Sequence, residues 1–244
     1  MRPASEEMPA EAVLPSLLLL IPAYNEGDAV VPHLRRMIEA VSLDCEILVV
    51  VDTEEEFDWS AAPPTSAAVT AMHWVDRGQK VFDRFGLKPT YVIDYPVATQ
   101  PGGFERLVEI AGSGRCTIGA HPHPWVNPPV EEELSGRNTF MCNLPVALQR
   151  EKLRRLCDAI GNRFGKRPTT YKAGRYGLGP STVPVLKELG FRVDVSVCPR
   201  YSFVGEDGPS FEDFDAQPFF LDDQLLELPC TVDFVGWAGS LRGG

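Results

Sequence analysis

Two histidines stand two residues apart in Ile118-Gly119-Ala120-His121-Pro122-His123-Pro124-Trp125, at the end of an apolar run that begins at Cys116. They are half of the four histidines in the chain. In extended backbone, side chains at i and i+2 point to the same face, so both imidazoles can converge on one metal ion. Two ligands do not make a site, and a proline-rich loop with two solvated histidines would show the same residues. The balance moves with Val49-Val50-Val51-Asp52-Thr53-Glu54-Glu55-Glu56-Phe57, where an apolar strand starting at Ile47 runs into carboxylates. Asp52 and Glu54 again stand at i and i+2. One of them can ligate a metal while the other serves as general base. Glu55 and Glu56 also fit an acidic loop opening a helix, where carboxylates favour the positive end of the dipole.

The elements that must position these residues alternate between the two periodicities. Strand-like runs are expected at Leu17–Pro22, Glu46–Asp52, Thr90–Asp94, Cys116–His121, Thr169–Lys172, Arg192–Val197 and Leu225–Pro229. Helical spacing joins Val30, Leu34, Met37, Ile38 and Val41, then Met72, Val75, Phe82 and Phe85, and later Leu153, Leu156, Ile160 and Phe164. Gly86, Gly165 and Gly190 each follow an apolar residue and precede a strand, as left-handed helix caps do. Ser181 stands as N-cap of a helix ending at Leu189, with Pro184 in its first turn. The exit Arg84-Phe85-Gly86-Leu87-Lys88-Pro89-Thr90 is repeated in kind at Arg163-Phe164-Gly165-Lys166-Arg167-Pro168-Thr169, as repeated βα units would require. Such units make a parallel sheet or barrel whose strand C-termini form the functional rim. Irregular stretches are expected at Ala61–Ser66, Pro124–Leu144 and Tyr201–Asp223.

With 244 residues, 44% hydrophobic and 23% charged, the composition is that of a globular chain with a sizeable core. A net charge of -11 opposes binding to nucleic-acid backbones or anionic membranes. The six cysteines show no CxxC pair and read as buried free thiols. The run Leu17–Ile21 is too short to span a bilayer, and Glu6, Glu7 and Glu11 before it do not make a secretion signal. A cytoplasmic location follows by default, with residues 1–13 disordered.

From about Leu48 to Gly244 the chain resembles the polysaccharide deacetylases, carbohydrate esterases that remove N-acetyl groups, and especially the variant that accompanies lipopolysaccharide-type biosynthesis genes. Five segments carry the resemblance: Val51–Trp59, Thr90–Pro96, Gly119–Trp125, Tyr171–Gly177 and Val193–Pro199. It implies an irregular (β/α)7 barrel and metal-assisted amide hydrolysis, with Zn²⁺ as the simplest divalent ion and an N-acetylated carbohydrate as substrate. Under the resemblance Asp52 is the base, and Glu54, His121 and His123 are the metal ligands. The family's acids are commonly adjacent and its histidines four apart, so Asp52 is an alternative ligand here. Lys172 falls where the family has a base-orienting arginine, with Arg175 as the nearby alternative. Asp94, Trp125 and Tyr176 fall on the substrate side, with Trp59 a further ring able to stack on a sugar.

Residues 14–52 resemble something else, with 14–46 as a separate β-α segment. Leu18–Gly27, a helix, and Glu46–Asp52 look like the opening unit of an inverting nucleotide-sugar glycosyltransferase family; Asp213-Phe214-Asp215 lacks the strand that family needs. At the other end, no histidine follows His123, so the deacetylases' amine-protonating histidine has no counterpart. A domain over 47–244 with an incomplete barrel is therefore expected, with weak turnover and an extra β-α unit before it. A glycosyltransferase fragment and a non-catalytic sugar-binding module are the competing readings.

Overall fold

An apolar run without polar alternation needs cover on both faces, and Val49, Val50 and Val51 are all buried. They belong to β2 (Glu46–Thr53) of a computed structural model that describes residues 16–22, 46–57 and 66–230. β1 (Ser16–Pro22) lies parallel beside it, from Ser16 opposite Glu46 to Pro22 opposite Asp52. The chain continues through α1 (Val75–Arg84), β3 (Thr90–Ile93), α2 (Tyr95–Thr99), α3 (Pro101–Gly112) and β4 (Thr117–Ala120). There follow α4 (Val146–Phe164), β5 (Thr170–Tyr171), α5 (Thr182–Glu188), β6 (Val193–Asp194), β7 (Phe219–Asp222) and β8 (Leu225–Glu227).

The strand order is β1-β2-β3-β4-β5-β6-β8-β7, parallel throughout except for the antiparallel pair of β7 and β8. Successive strands sit side by side without a reversal of order. Right-handed crossovers then put every connecting helix on one face, as in a barrel wall rather than a doubly wound sheet. The packing agrees: Val49, Val51, Tyr91, Ile93 and Tyr171 share one cluster with Phe82, Leu107, Ile110, Leu153, Leu156 and Ile160 from the helices. Val50, Val92 and Val195 point the other way, with Leu48, Val193 and Leu228 against them. Each fully buried leucine in the helix layer contributes about 1.5–3 kcal/mol. Among the described residues no pairing joins β7 to β1, so those two strands are the edges.

Gly86, Gly165 and Gly190 have the left-handed φ expected of helix ends, at +67°, +71° and +87°. Ser181 is the N-cap position of α5, although its side chain makes no cap hydrogen bond. The stretch Tyr201–Asp223 is less irregular than expected. Its end, Phe219–Asp222, turns at Asp223 and Gln224 to pair with β8, and Lys187 holds Asp222 and Asp223 at 2.6 and 2.5 Å. Two short apolar runs around a two-residue turn are a hairpin pattern. Cys116, Cys157, Cys198 and Cys230 are buried free thiols, as expected, and Cys142 is a half-buried one. No helix of the described residues is long and apolar enough to cross a membrane. Residues 23–45, which carry most of the glycosyltransferase-like segment, lie outside the described residues, as do 1–15, Cys45, Trp59 and 231–244.

Candidate metal centre

The site gathers at the C-terminal ends of the parallel strands. Asp52 shares the face of Leu48 and Val50 at the end of β2, and Glu54 follows the strand. His121 comes directly after β4, its N–H donating to the Ile93 carbonyl at 2.9 Å. Lys172 comes directly after β5, its N–H donating to the Ala120 carbonyl at 2.9 Å. Backbone register thus fixes three of these positions before any side chain is considered.

Both imidazoles converge on Glu54. Its Oε2 lies 2.8 Å from His121 Nε2 and 3.3 Å from His123 Nε2. His121 Nδ1 faces the Lys172 carbonyl oxygen at 3.0 Å, which can only accept, so the ring carries its proton on Nδ1. The Nε2 lone pair of the neutral ring then faces a carboxylate oxygen, an arrangement that repels unless a cation lies between them. A proton or a metal ion satisfies it. The ligand atoms of Glu54, His121 and His123 all lie within 4.8 Å of one another. A tetrahedral zinc with bonds of about 2.0–2.2 Å needs ligand atoms about 3.3 Å apart, so the donor set fits such an ion with one position left open. Burial pushes the Glu54 carboxyl up, but His123, His121 and Lys172 outweigh it and hold it down, to about 2.

A second layer holds these groups. Lys172 Nζ donates to Asp52 Oδ2 at 2.5 Å, and the ammonium lies 4.6 Å from the centre of the Tyr176 ring. Burial disfavours charge on Lys172, but Asp52 beside it outweighs burial and keeps the ammonium protonated. Asp52 Oδ1 is buried with no partner among the described residues. On the other side, Glu55 Oε2 lies 2.9 Å from His123 Nδ1, and Glu55 Oε1 accepts the Trp125 indole N–H at 2.7 Å. Lys152, fully buried in α4, donates to the carbonyls of Pro124 and Asn127 at 2.9 and 2.7 Å and ion-pairs with Glu132. It fastens the histidine loop to the helix layer. Gly174 lies so close that a Cβ there would stand 2.2 Å from His123 Cδ2 and 2.6 Å from the Pro122 carbonyl oxygen.

Of the residues singled out from sequence, Asp52, Glu54, His121, His123 and Lys172 come together. Three others are placed differently. Asp94 is fully buried; its Oδ2 accepts the Glu55 N–H at 2.6 Å and its Oδ1 caps α2 at Val97 N, 2.7 Å. Both oxygens are used inside the protein, so the expected substrate contact is not open to it. Trp125 is 7% exposed, stacked on His123 with ring centres 4.4 Å apart, and Phe57 meets it edge-on at 5.8 Å. It packs the histidine instead of offering a face to a sugar. Arg175 pairs with Glu206 and Thr139 and lies over the Phe140 ring at 4.3 Å, while Lys172 holds Asp52. Its backbone is left-handed (φ +52°), as is that of Tyr176 (φ +57°), which aims the two side chains away from a continued strand. Tyr176 stands at the rim between Lys172 and the stacked Phe203, 5.3 Å away.

Glu55, Lys152 and Gly174 were not apparent as site residues. Glu55 is not helix-opening charge but a core carboxylate, 1% exposed. Glu56 does serve a helix start, accepting from Thr70 and Ala71 at the Thr70–Trp74 turn of 3₁₀ helix. A second acidic group, Glu55 with Asp94 and His123, is also close enough to be a ligand set. Its oxygens are already occupied by backbone and indole N–H groups, apart from the Glu55 oxygen facing His123.

No family model matches the chain, and no curated protein matches it. Among solved structures it is similar to a protein of Mycobacterium smegmatis assigned as a polysaccharide deacetylase, at 22% identity over 67% of this chain and 46% of that one, TM-score 0.45. It is also similar to IcaB from Ammonifex degensii, with 13% identity, 73% and 82% coverage and TM-score 0.47. The BpsB deacetylase domain of Bordetella bronchiseptica gives 13% identity, 82% and 84% coverage and TM-score 0.46. The match spans less than half the length of the Mycobacterium smegmatis protein.

Proposed function

We propose that this protein is a metal-dependent hydrolase that removes acetyl groups from an N-acetylated carbohydrate, with Zn²⁺ as the simplest ion and the cytoplasm as its place of work. The observation that carries the reading is the His121 ring, which donates from Nδ1 to the Lys172 carbonyl and so turns its Nε2 toward the Glu54 carboxylate, 2.8 Å away. A divalent ion held by Glu54, His121 and His123 would polarise an amide carbonyl and make a water acidic enough to attack it. Asp52 is the base. Lys172 fixes one of its oxygens, which leaves Oδ1 as an unused acceptor for a water proton. The five segments that resemble polysaccharide deacetylases supply the choice of an N-acetyl amide over other acyl groups.

Elemental analysis of freshly purified protein tests the reading. About one divalent transition ion per chain is expected, lost in the His121→Ala, His123→Ala double variant, together with acetate release from N-acetylglucosamine oligomers by the loaded wild type. No metal in the preparation and no uptake of Zn²⁺ or Co²⁺ on titration would overturn it.

A further inference from the structure

We infer that Glu55 is the positioning residue of this centre: its carboxylate accepts a hydrogen bond from His123 Nδ1–H and so presents that ring's Nε2, unprotonated, to the ion shared with Glu54 and His121. The inference rests on the metal-centre reading above, and it assigns work to a residue that does not itself touch the ion.

The two tautomers of His123 are not equivalent in this surrounding. With the proton on Nε2, the ring would donate to Glu54 across 3.3 Å while its Nδ1 lone pair faced the Glu55 carboxylate at 2.9 Å. With the proton on Nδ1, the shorter contact becomes a charge-assisted hydrogen bond and Nε2 is left for a ligand. Water cannot relieve the wrong choice, because Glu55 is 1% and His123 2% exposed.

Glu55 is itself held from two further sides. Its Oε1 accepts the Trp125 indole N–H at 2.7 Å, and its backbone N–H donates to Asp94 Oδ2 at 2.6 Å. The same indole lies nearly parallel to the His123 ring, 22° between planes, so Trp125 fixes both the carboxylate and the imidazole it serves. Phe57 lies edge-on to the His123 ring, centres 5.5 Å apart. His121 has the corresponding partner in the Lys172 backbone carbonyl. Both ligand rings are therefore set through Nδ1, one by a carbonyl that no substitution removes and one by a side chain that can be changed. That makes His121 an internal control.

The test is ¹⁵N NMR of the imidazoles in wild type, Glu55→Gln and Trp125→Phe, metal-free and with Zn²⁺, alongside Zn²⁺ affinities. Wild-type His123 is expected as the Nδ1–H tautomer. In Glu55→Gln that preference should be lost and Zn²⁺ affinity should fall about 10–100-fold, with His121 unchanged. Trp125→Phe should move His123 in the same direction by less. A wild-type His123 carrying its proton on Nε2 overturns the inference without any variant. So does a folded Glu55→Gln protein with wild-type tautomer and affinity. If wild type takes up no Zn²⁺, the metal reading fails, and the metal-free tautomers of wild type and Glu55→Gln still decide what Glu55 does.

Discussion

At the scale of single residues, Asp52 and Glu54 have the same chemistry and different neighbours. Glu54 faces two imidazoles, and Asp52 faces an ammonium. Asp52→Asn should therefore bind Zn²⁺ as the wild type does and lose hydrolysis by about 10²–10⁴-fold, the usual worth of a positioned base. Glu54→Gln should weaken metal binding first, because the amide removes the anionic ligand. Isothermal titration with Zn²⁺ beside acetate-release rates separates the two; the reverse pattern would exchange their roles. Lys172→Met should retain the metal but leave Asp52 without its only cationic partner among the described residues. Its kcat should fall while Zn²⁺ affinity stays near that of the wild type, because the base loses the donor that orients it; an unchanged kcat would rule that role out.

At the scale of elements, the histidine loop is clamped by pieces far away in sequence. Lys152 reaches it from α4 and Gly174 abuts it from the turn after β5. Lys152→Met would leave two carbonyls and Glu132 without their buried donor, a loss of about 3–5 kcal/mol. The melting midpoint in denaturant should drop accordingly; an unchanged midpoint would mean that water replaces the ammonium. Gly174→Ala is expected to disturb both the site and the packing around it. The added methyl must displace the His123 ring or the Pro122 carbonyl, so Zn²⁺ affinity should fall and overpacking should cost about 1–3 kcal/mol of stability. Zinc titration and thermal unfolding of the same sample check both halves.

At the scale of the whole molecule, one cross-strand row links the site to the far side of the sheet. Ala120, Tyr171, Asp194 and Glu227 stand side by side on β4, β5, β6 and β8. Asp194 and Glu227 are fully buried neighbours, and Asp194 Oδ2 and Glu227 Oε2 lack hydrogen-bond partners in the described residues. Ser196 ties Asp194 to the Ala173 N–H, beside Gly174 and Lys172. Burial pushes both carboxyls up, and for Glu227 the adjacent Asp194 adds to it, so the pair retains a proton in the folded state. A carboxyl raised on folding contributes fully below its unfolded value of about 4, and that contribution is lost as pH rises through its folded value. Stability should thus decline as pH rises from about 4 through about 6, by up to about 1.4 kcal/mol per pH unit for each proton released. Asp194→Asn should flatten that slope. Melting curves of wild type and variant across this range decide it, and parallel slopes would rule out the shared proton.

The chain by itself determined the strands, the helix ends and the rim residues, because each is a local matter of periodicity, left-handed glycines and same-face spacing. β2 through β6 and β8 fall where apolar runs predicted them, and Asp52, Glu54, His121, His123 and Lys172 follow from their places at strand ends. The hairpin partner β7 was legible too, in two apolar runs around Asp223 and Gln224, but was hidden inside a stretch rich in Gly, Pro and Asp. Only the tertiary structure decided which polar groups are used up inside. Asp94 looks like a rim carboxylate in sequence and turns out to hold a backbone amide and a helix end. Trp125 looks like a sugar platform and is spent on a carboxylate and an imidazole. Glu55 looks like surface charge and faces the core, because after β2 the chain leaves extended geometry and alternation no longer tells which way a side chain points. Those assignments depend on contacts between residues 39 to 70 positions apart, and no local pattern encodes which of two acidic neighbours meets them.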